Sequence, residues 1–127
     1  MSQPSSVPHP FATLIGMEVE QVEPGRATAR LVIGPDHMNP HGVVHGAVLF
    51  ALIDTSMGGA AASILAEGER PATIEVQTRF LRPAVAGELW CETSVVKPGR
   101  RVVHLESRVS GADGKIVATG SGSFAVI

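Results

Sequence analysis

The feature that most limits how this chain can fold is a long stretch in its middle that is almost free of charge. From Gly46 to Ala66 the only ionisable side chain is Asp54. A helix that is apolar on nearly every side is usually one that protein buries all round. The stretch approaches the length of a membrane span, but polar residues and glycines at its centre are costly in lipid and it has no aromatic belt. We therefore predict a buried central helix and no membrane partner.

The segments on either side of this stretch alternate as β-strands do. Upstream, a short helical turn over 11–14 ends at Gly16, and two strands within 17–33 are joined by a turn at Pro24-Gly25. Four further strands are predicted downstream, over 73–82, 89–95, 103–109 and 115–126. The chain is thus predicted to be α+β, with a long central helix wrapped by a curved antiparallel β-sheet.

Two details of these strands carry further predictions. Gly120 and Gly122 in the last strand are expected to let the sheet approach the small residues of the helix closely. In the first downstream strand, simple alternation assigns four side chains to one face: Ile74, Val76, Thr78 and Phe80.

Length, charge and cysteine content narrow the class of protein. The chain has 127 residues, the size of one domain, and its net charge of −2 provides no basic field for nucleic acid. Residues 1–10 lack the pattern of a secretory signal and are predicted to be a flexible tail, which leaves 11–127 as a single domain. Cys91 is the only cysteine, which excludes an internal disulfide and fits the reducing cytoplasm.

Asp54 needs an explanation, because burying an unpaired carboxylate costs several kcal/mol. Either it pairs with a buried arginine or with backbone N–H groups, or it has a catalytic role. The sequence from Asn39 to Gly46, Asn-Pro-His-Gly-Val-Val-His-Gly, is a loop that ends where the helix begins. A helix N-terminus offers free N–H donors that can hold the oxygen of a polarised carbonyl, and Gly46 leaves room for a substrate there. This context favours the catalytic role.

The spacing of Gly46 and Asp54 has a consequence for assembly. Eight residues of helix separate them by about 12 Å along the axis and by roughly 80° around it. One reacting carbon has to lie within about 3 Å of both groups. If both act on one substrate, Asp54 must come from a second copy of the chain. We therefore predict a homodimer, or a homotetramer built as a dimer of dimers.

The order of these residues resembles a known family. The matching positions are Asn39, His45-Gly46, Asp54, Thr73 and the strand end Phe80-Leu81-Arg82-Pro83. In this order they resemble the hotdog-fold acyl-CoA thioesterases of the phenylacetate-pathway and 4-hydroxybenzoyl-CoA type. The resemblance covers roughly Gly34 to the C-terminus. Members often have a second glycine after His-Gly, where this chain has Ala47.

The resemblance implies an activity and roles for these residues. The expected reaction is hydrolysis of an acyl-CoA or aryl-CoA thioester. The Gly46 N–H would polarise the thioester carbonyl, and Asp54 of a partner subunit would be the general base or the nucleophile. Asn39 and His45 would order the site, and Thr73 would position the attacking water.

The phosphates of coenzyme A need basic partners. Four basic residues at strand ends and in one turn are candidates to gather near the mouth of a cleft: Arg82, Lys97, Arg100 and Arg101. No cofactor is expected.

The spacing of three histidines is one that can indicate a metal site. His37, His41 and His45 recur every four residues, which on a helix would form a metal-binding face. Pro40 and Gly42 prevent that helix, so no metal site is predicted.

Cys91 with His104 could form a nucleophile and base. Because Cys91 lies on the apolar face of its strand, we predict a core role instead. His9 and His104 are interpreted as surface residues without partners.

Two other functions share this fold. Enoyl-thioester hydratases use a histidine and an acid in another arrangement, and the order Asn39, His45-Gly46, Asp54 argues against them. A non-catalytic acyl-CoA-binding module could lose its acid, so the retained Asp54 favours catalysis.

Overall fold

The structure, a computed structural model, describes residues 3–4 and 9–127. The predicted tail, 1–10, therefore falls largely outside the described residues. Within it, Gln3–Pro4 forms a short strand, β1, that pairs with Gln21 and Glu20. The first helix begins at Pro10, the last residue of the predicted tail.

The remaining elements alternate around one long helix. They are α1 (Pro10–Ile15), β2 (Glu18–Glu23), β3 (Arg26–Val32), a 3-10 turn (Pro35–His37), α2 (Gly46–Ala62), β4 (Pro71–Phe80), β5 (Glu88–Pro98), β6 (Val102–Ser110) and β7 (Ile116–Val126). The described strands form one antiparallel sheet in the order β1-β2-β3-β5-β6-β7-β4. The predicted α+β architecture, a central helix wrapped by a curved antiparallel sheet, is confirmed.

The strand that follows α2 forms one edge of the sheet. β4 follows the helix in sequence but lies at the far edge of the sheet, beside β7. Since β4 runs from Pro71 opposite Val126 to Phe80 opposite Ala118, its two ends lie at opposite ends of the molecule.

One side of α2 forms the centre of the core. Leu52, Ile53 and Met57 on that side are fully buried. A Cβ at Gly120 would lie 2.8 Å from Cγ2 of Ile53, and one at Gly122 would lie 2.6 Å from Sδ of Met57. The prediction that these two glycines allow a close approach of sheet and helix is confirmed, since an alanine at either position would overlap the helix side chains.

The end of α2 is tied to the first hairpin. The Ser63 hydroxyl donates to the carbonyl of Ala60 (2.6 Å) and accepts from the backbone N–H of Gly25 (2.8 Å). The helix therefore stops at Ala62, four residues before the end of the uncharged stretch. Among residues 3–4 and 9–127, no helix combines the length and the apolar character that crossing a bilayer requires.

A bulge in β4 changes the predicted faces of that strand. The register with β7 shifts between Thr73 and Glu75, which makes Ile74 an extra residue. Thr73 consequently faces the helix, as Val76 does, while Ile74 is 56% exposed. The prediction that Ile74 shares a face with Val76 is wrong, because a bulge reverses the alternation on one side of it.

Candidate active site

The loop before α2 is shaped by Asn39. Its side-chain oxygen accepts hydrogen bonds from the backbone N–H groups of His41 (2.8 Å) and Val43 (3.3 Å). Its backbone N–H donates to the carbonyl of Val43, and its own carbonyl accepts from Gly42. Asparagine favours such turns because its short side chain can satisfy nearby backbone donors. These hydrogen bonds hold the loop in one conformation up to the start of α2.

The first turn of α2 presents a free donor. Nδ1 of His45 accepts from the N–H of Ala47 (2.9 Å), and the His45 carbonyl accepts from the N–H of Val48 (2.9 Å). Within the described residues, the N–H of Gly46 has no acceptor. This N–H lies at the positive end of the helix dipole, where it is suited to bind a carbonyl oxygen that gains negative charge.

The Phe80 ring covers Gly46. A Cβ at Gly46 would lie 3.1 Å from Cζ of Phe80, closer than two carbons normally pack. Glycine therefore allows the ring to lie against the first turn of the helix. Phe80 is itself 56% exposed, so the pair forms a surface beside the free N–H.

Asp54 lies on the side of α2 that faces away from the core. It is half-buried, and Oδ1 accepts a hydrogen bond from the Thr73 hydroxyl at 2.9 Å. In the described part of the chain it has no salt bridge to an arginine or lysine. A structural ion pair thus does not account for Asp54, and its second oxygen can accept a proton from a bound water.

Gly46 and Asp54 do not meet within one chain. Both belong to the continuous helix Gly46–Ala62, so about 12 Å of helix axis separates them. The contacts with β4 agree, because Phe80 beside Gly46 and Thr73 beside Asp54 lie near opposite ends of that strand. Within one chain, Gly46 and Asp54 therefore cannot both contact the same reacting carbon.

A largely apolar cavity of about 650 Å³ runs along the open side of α2 and includes Asp54. Its floor is the helix, and its walls come from α1, β2, β4 and β7. Among the residues that line it are His9, Phe11, Gln21, Phe50, Gly58, Thr73 and Phe124. The cavity can take an apolar group next to the carboxylate.

A second hollow, of about 710 Å³, lies at the sheet on strands β3 to β7. Charged and polar side chains make up most of its lining, including Arg26, Arg79, Glu92, Glu106 and Arg108. None of the α2 residues contributes to it. We assign the candidate site to the smaller cavity, because that cavity contains the carboxylate and the helix.

The four predicted coenzyme A ligands do not gather in one chain. Arg82 follows the end of β4 and lies 3.6 Å from Asp113 in the β6–β7 turn. Lys97 lies near the end of β5, and Arg100 and Arg101 belong to the β5–β6 connection, which the register places beside the start of β4. Within one subunit they lie apart, because β4 runs along the far edge of the sheet before the chain reaches Arg82. Their gathering at a site shared between subunits stays a prediction.

The three regularly spaced histidines do not share a face. His37 is buried, accepts from the Gly34 N–H at Nδ1 (2.9 Å) and donates from Nε2 to the Ile15 carbonyl (2.7 Å). It therefore anchors the loop to α1, while His45 caps α2 and His41 is exposed. Over residues 3–4 and 9–127, no group of three or more potential metal ligands occurs.

Cys91 is a core residue, as predicted. It is fully buried, and burial raises the pKa of its thiol from the usual 9.0 to about 11. His104 is exposed on β6, away from the thiol, so the two do not form a nucleophile and base.

His9 and His104 are exposed, as predicted, but each has a hydrogen-bond partner. Nδ1 of His104 lies 3.0 Å from the Ser123 hydroxyl, across the β6–β7 pair. His9 precedes α1, and its Nδ1 accepts from the N–H of Ala12 at 3.4 Å. Its place before Pro10 is a recognisable helix-start signal.

Sequence reasoning did not identify the apolar walls of the cavity. Phe50 and Gly58 lie four residues before and after Asp54, so helical spacing alone predicts that they share its side of α2. Phe11 and Phe124 come from distant segments, and no local signal links them to the carboxylate.

Comparison with known proteins adds to this geometry. A family profile described as Thioesterase superfamily matches residues 41–118, which include Gly46, Asp54 and Thr73. A conserved protein of Pseudomonas aeruginosa has a TM-score of 0.89 and 32% identity, with 94% of this chain and 95% of that chain covered. The PaaI protein from the phenylacetic acid degradation operon of E. coli has a TM-score of 0.87 and 25% identity, with 94% and 85% covered.

A third solved structure bears on the ligand. A Bacillus halodurans protein determined with CoA is 34% identical, with a TM-score of 0.77 and with 79% of this chain and 66% of that chain covered. The profile spans more than half of this chain, and its architecture is that of the solved structures. The chain therefore belongs to the thioesterase superfamily, as a hydrolase with the hotdog fold.

Proposed function

We propose that this protein hydrolyses acyl-CoA or aryl-CoA thioesters to the free acid and coenzyme A, in sites shared between two copies of the chain. The observation that carries the proposal is the placement of Asp54. It is a carboxylate without an ion pair among the described residues, beside an apolar cavity and held by the Thr73 hydroxyl.

The reaction follows from the two half-sites. The Gly46 N–H donates to the thioester oxygen, and the partner's Asp54 removes a proton from a water that attacks the carbonyl carbon. The tetrahedral intermediate then expels the thiolate of coenzyme A, which takes up the proton from the carboxyl group. Alternatively, the carboxylate attacks the carbonyl carbon itself, and water hydrolyses the resulting anhydride. Thr73 orients the carboxylate in both routes.

Two observations support coenzyme A as the thiol part of the substrate: one similar solved structure and the positions of the basic residues. The Bacillus halodurans protein was determined with CoA, which supports a CoA ester as the substrate here. Because Arg82 and the turn 97–101 are far apart in one chain, each would contact the phosphates of a substrate from a different side or subunit. A cytoplasmic location, where CoA esters form, completes the proposal.

An assay of the purified protein against a panel of acyl-CoA and aryl-CoA esters, with a thiol reagent, tests the activity. Asp54→Asn should lower kcat by about a hundredfold or more, the range of a general base. Glu67→Gln is the matched control, because it removes an exposed carboxylate close to the end of α2. Binding of the esters without turnover in the unchanged protein would favour the acyl-CoA-binding alternative.

Mixing two inactive variants tests the sharing of the site. Gly46→Pro removes the N–H donor at the first position of the helix, which favours proline, although the exposed Phe80 ring has to shift to admit the new Cβ. Heterodimers of Gly46→Pro with Asp54→Ala should recover activity, because one of their two sites contains both an intact Gly46 and an intact partner's Asp54. A mixture that stays inactive although heterodimers form would contradict the shared site.

Single turnover in heavy-oxygen water separates the two routes. Direct attack by water puts the heavy oxygen into the product acid. Nucleophilic attack by Asp54, followed by attack of water on the Asp54 carboxyl carbon of the anhydride, delivers one of its own oxygens in the first turnover and leaves the heavy oxygen on the protein.

A further inference from the structure

Gly58 is a glycine that the packing of α2 does not require. It lies inside the helix Gly46–Ala62, where glycine is less favourable than alanine because it loses more backbone entropy on folding. The nearest atom of another element to a Cβ at this position would be Cε2 of Phe124, at 3.9 Å, which is an ordinary van der Waals contact. Alanine would therefore fit, and it would favour the helix. The missing side chain has to be explained by something other than packing.

The next residue, Gly59, does have a packing reason. A Cβ at Gly59 would lie 3.4 Å from Cγ1 of Val19 and 3.5 Å from Cβ of Ala27, so it would point at strands β2 and β3. The Gly59 carbonyl also accepts a hydrogen bond from Nε2 of Gln21 (3.1 Å). Gly59 therefore lies where β2 and β3 approach the helix, whereas a side chain at position 58 would point elsewhere.

Gly58 lies beside the candidate catalytic carboxylate. It follows Asp54 by four residues, so the two are neighbours on one side of α2, and both line the apolar cavity. Side chains of a helix lean toward its N-terminus, which means that a side chain at position 58 would point toward Asp54. The glycine thus leaves open the part of the cavity that adjoins the carboxylate.

The cavity gives an acyl group more room on one side of Asp54 than on the other. One turn before Asp54 the lining residue is Phe50, and one turn after it is Gly58. If Asp54 acts on the carbonyl carbon, directly or through one water, that carbon lies close to the carboxylate. The acyl group attached to it then extends along the helix over Gly58, since the Phe50 ring takes up space in the other direction.

The walls of the cavity favour a ring. The chain has four phenylalanines, and three of them line this cavity: Phe11, Phe50 and Phe124. Aromatic side chains pack well around another ring, edge-on or offset. A ring beside the carbonyl is also wide at the place where a straight chain is slender, so it is the kind of acyl group that a side chain at position 58 would exclude.

We propose that Gly58 determines which acyl groups this protein accepts, because the space that it leaves beside Asp54 admits a ring attached at or next to the carbonyl carbon. The reaction in which this matters rests on the proposed function. The room beside the carboxylate does not, since it follows from the contacts of Gly58 and the lining of the cavity. Gly58 contacts the acyl group and takes no part in proton transfer.

Steady-state kinetics with a matched pair of esters tests the proposal. Phenylacetyl-CoA and octanoyl-CoA have the same number of acyl carbons and the same CH₂ group next to the carbonyl, but only phenylacetyl-CoA carries a ring. The unchanged protein should have the higher kcat/KM for phenylacetyl-CoA. Gly58→Ala should lower that value by at least about tenfold, the scale of one methyl group in a close-fitting pocket, and the value for octanoyl-CoA by no more than a few fold. Gly58→Val should enlarge the difference.

Gly59→Ala is the matched control, because it adds the same methyl group one position later and directs it at β2 and β3. It should change kcat/KM for both esters by the same factor. Thermal melts show whether the variants are folded, and Gly58→Ala should melt at or above the temperature of the unchanged protein. A loss of selectivity in a variant that is at least as stable cannot come from unfolding.

Binding without turnover separates this inference from the activity. Calorimetry with phenylacetyl-CoA, on Asp54→Asn and on Asp54→Asn/Gly58→Ala, should show an affinity at least about tenfold lower in the double variant. That result in a protein whose unchanged form hydrolyses no ester would keep the inference and reject the proposed function. Equal affinities, or the same ratio of kcat/KM values in Gly58→Ala and the unchanged protein, would overturn the inference even if both esters are hydrolysed.

Discussion

The two sides of α2 meet different physical demands. The side toward the sheet carries Leu52, Ile53 and Met57, which are fully buried, and the last two pack against the glycines of β7. The open side carries Phe50 and Asp54, which keep part of their surface accessible in a single chain. Since both sides are mostly apolar, the sequence of the helix hides this difference. The stability of the fold depends on one side, and the chemistry that we propose depends on the other.

Two substitutions, one on each side of α2, should differ most strongly in their effects on stability and activity. Leu52→Ala creates a cavity at a fully buried position and should lower the free energy of unfolding by about 2–5 kcal/mol. Asp54→Asn keeps the shape of a half-buried side chain. It should change the free energy of unfolding by less than about 1 kcal/mol, while activity falls about a hundredfold. Urea unfolding and kcat, measured on both variants, give the comparison. Equal losses of stability would mean that Asp54 is a structural residue.

The core beneath the sheet-facing side should make stability depend on alkaline pH through Cys91. Burial raises the pKa of this thiol from 9.0 to about 11. As pH rises above about 9, the unfolded chain loses the proton and the folded chain keeps it, so stability falls, by about 2 kcal/mol at pH 11. Below pH 9 the thiol has no such effect.

Urea unfolding at pH 8 and pH 11 measures this dependence. In Cys91→Ala the contribution of the thiol is absent, so the loss of stability between the two pH values should be about 2 kcal/mol smaller. The same loss in both proteins would assign the effect to other groups.

Two glycine-to-alanine substitutions, one on each side of α2, should have opposite effects on the stability of the fold. At Gly120 the new Cβ would lie 2.8 Å from Cγ2 of Ile53, which should destabilise the fold by about 1–3 kcal/mol. At Gly58, on the open side, the nearest atom is Cε2 of Phe124 at 3.9 Å, so alanine fits. There it should stabilise α2 by up to about 1 kcal/mol. Thermal melts of both variants check the signs, and a stabilising Gly120→Ala would show that the sheet can move away from the helix.

Much of the fold could be predicted because its signals are local. The uncharged stretch gave the central helix, and alternation with turn residues gave every long strand. The position of β4 beside β7 could not be predicted, because nothing in the loop after Ala62 indicates which edge the chain reaches. This is why the sequence does not reveal that Arg82 and the segment 97–101 lie apart within one chain.

The candidate site, too, could be predicted only where its signals are local. Gly46 and Asp54 stand out from the sequence because a loop end and a lone charge are local features. The contact between Phe80 and Gly46, and the walls formed by Phe11 and Phe124, depend on how distant elements pack. The bulge at Ile74 could not be predicted, since the alternating pattern continues through it and only the pairing with β7 reveals the extra residue.

The bulge also restricts which insertions and deletions this chain can tolerate. Ile74 shifts the phase of β4 by one residue, so that Thr73 faces inward although Val76, three positions later, does too. Loss of that single residue would remove the bulge and leave regular alternation, in which Thr73 still faces inward and keeps its hydroxyl beside Asp54. Ile74 is therefore a residue of β4 whose deletion keeps the faces in phase, whereas insertions between α2 and β4 belong in the loop before Pro71.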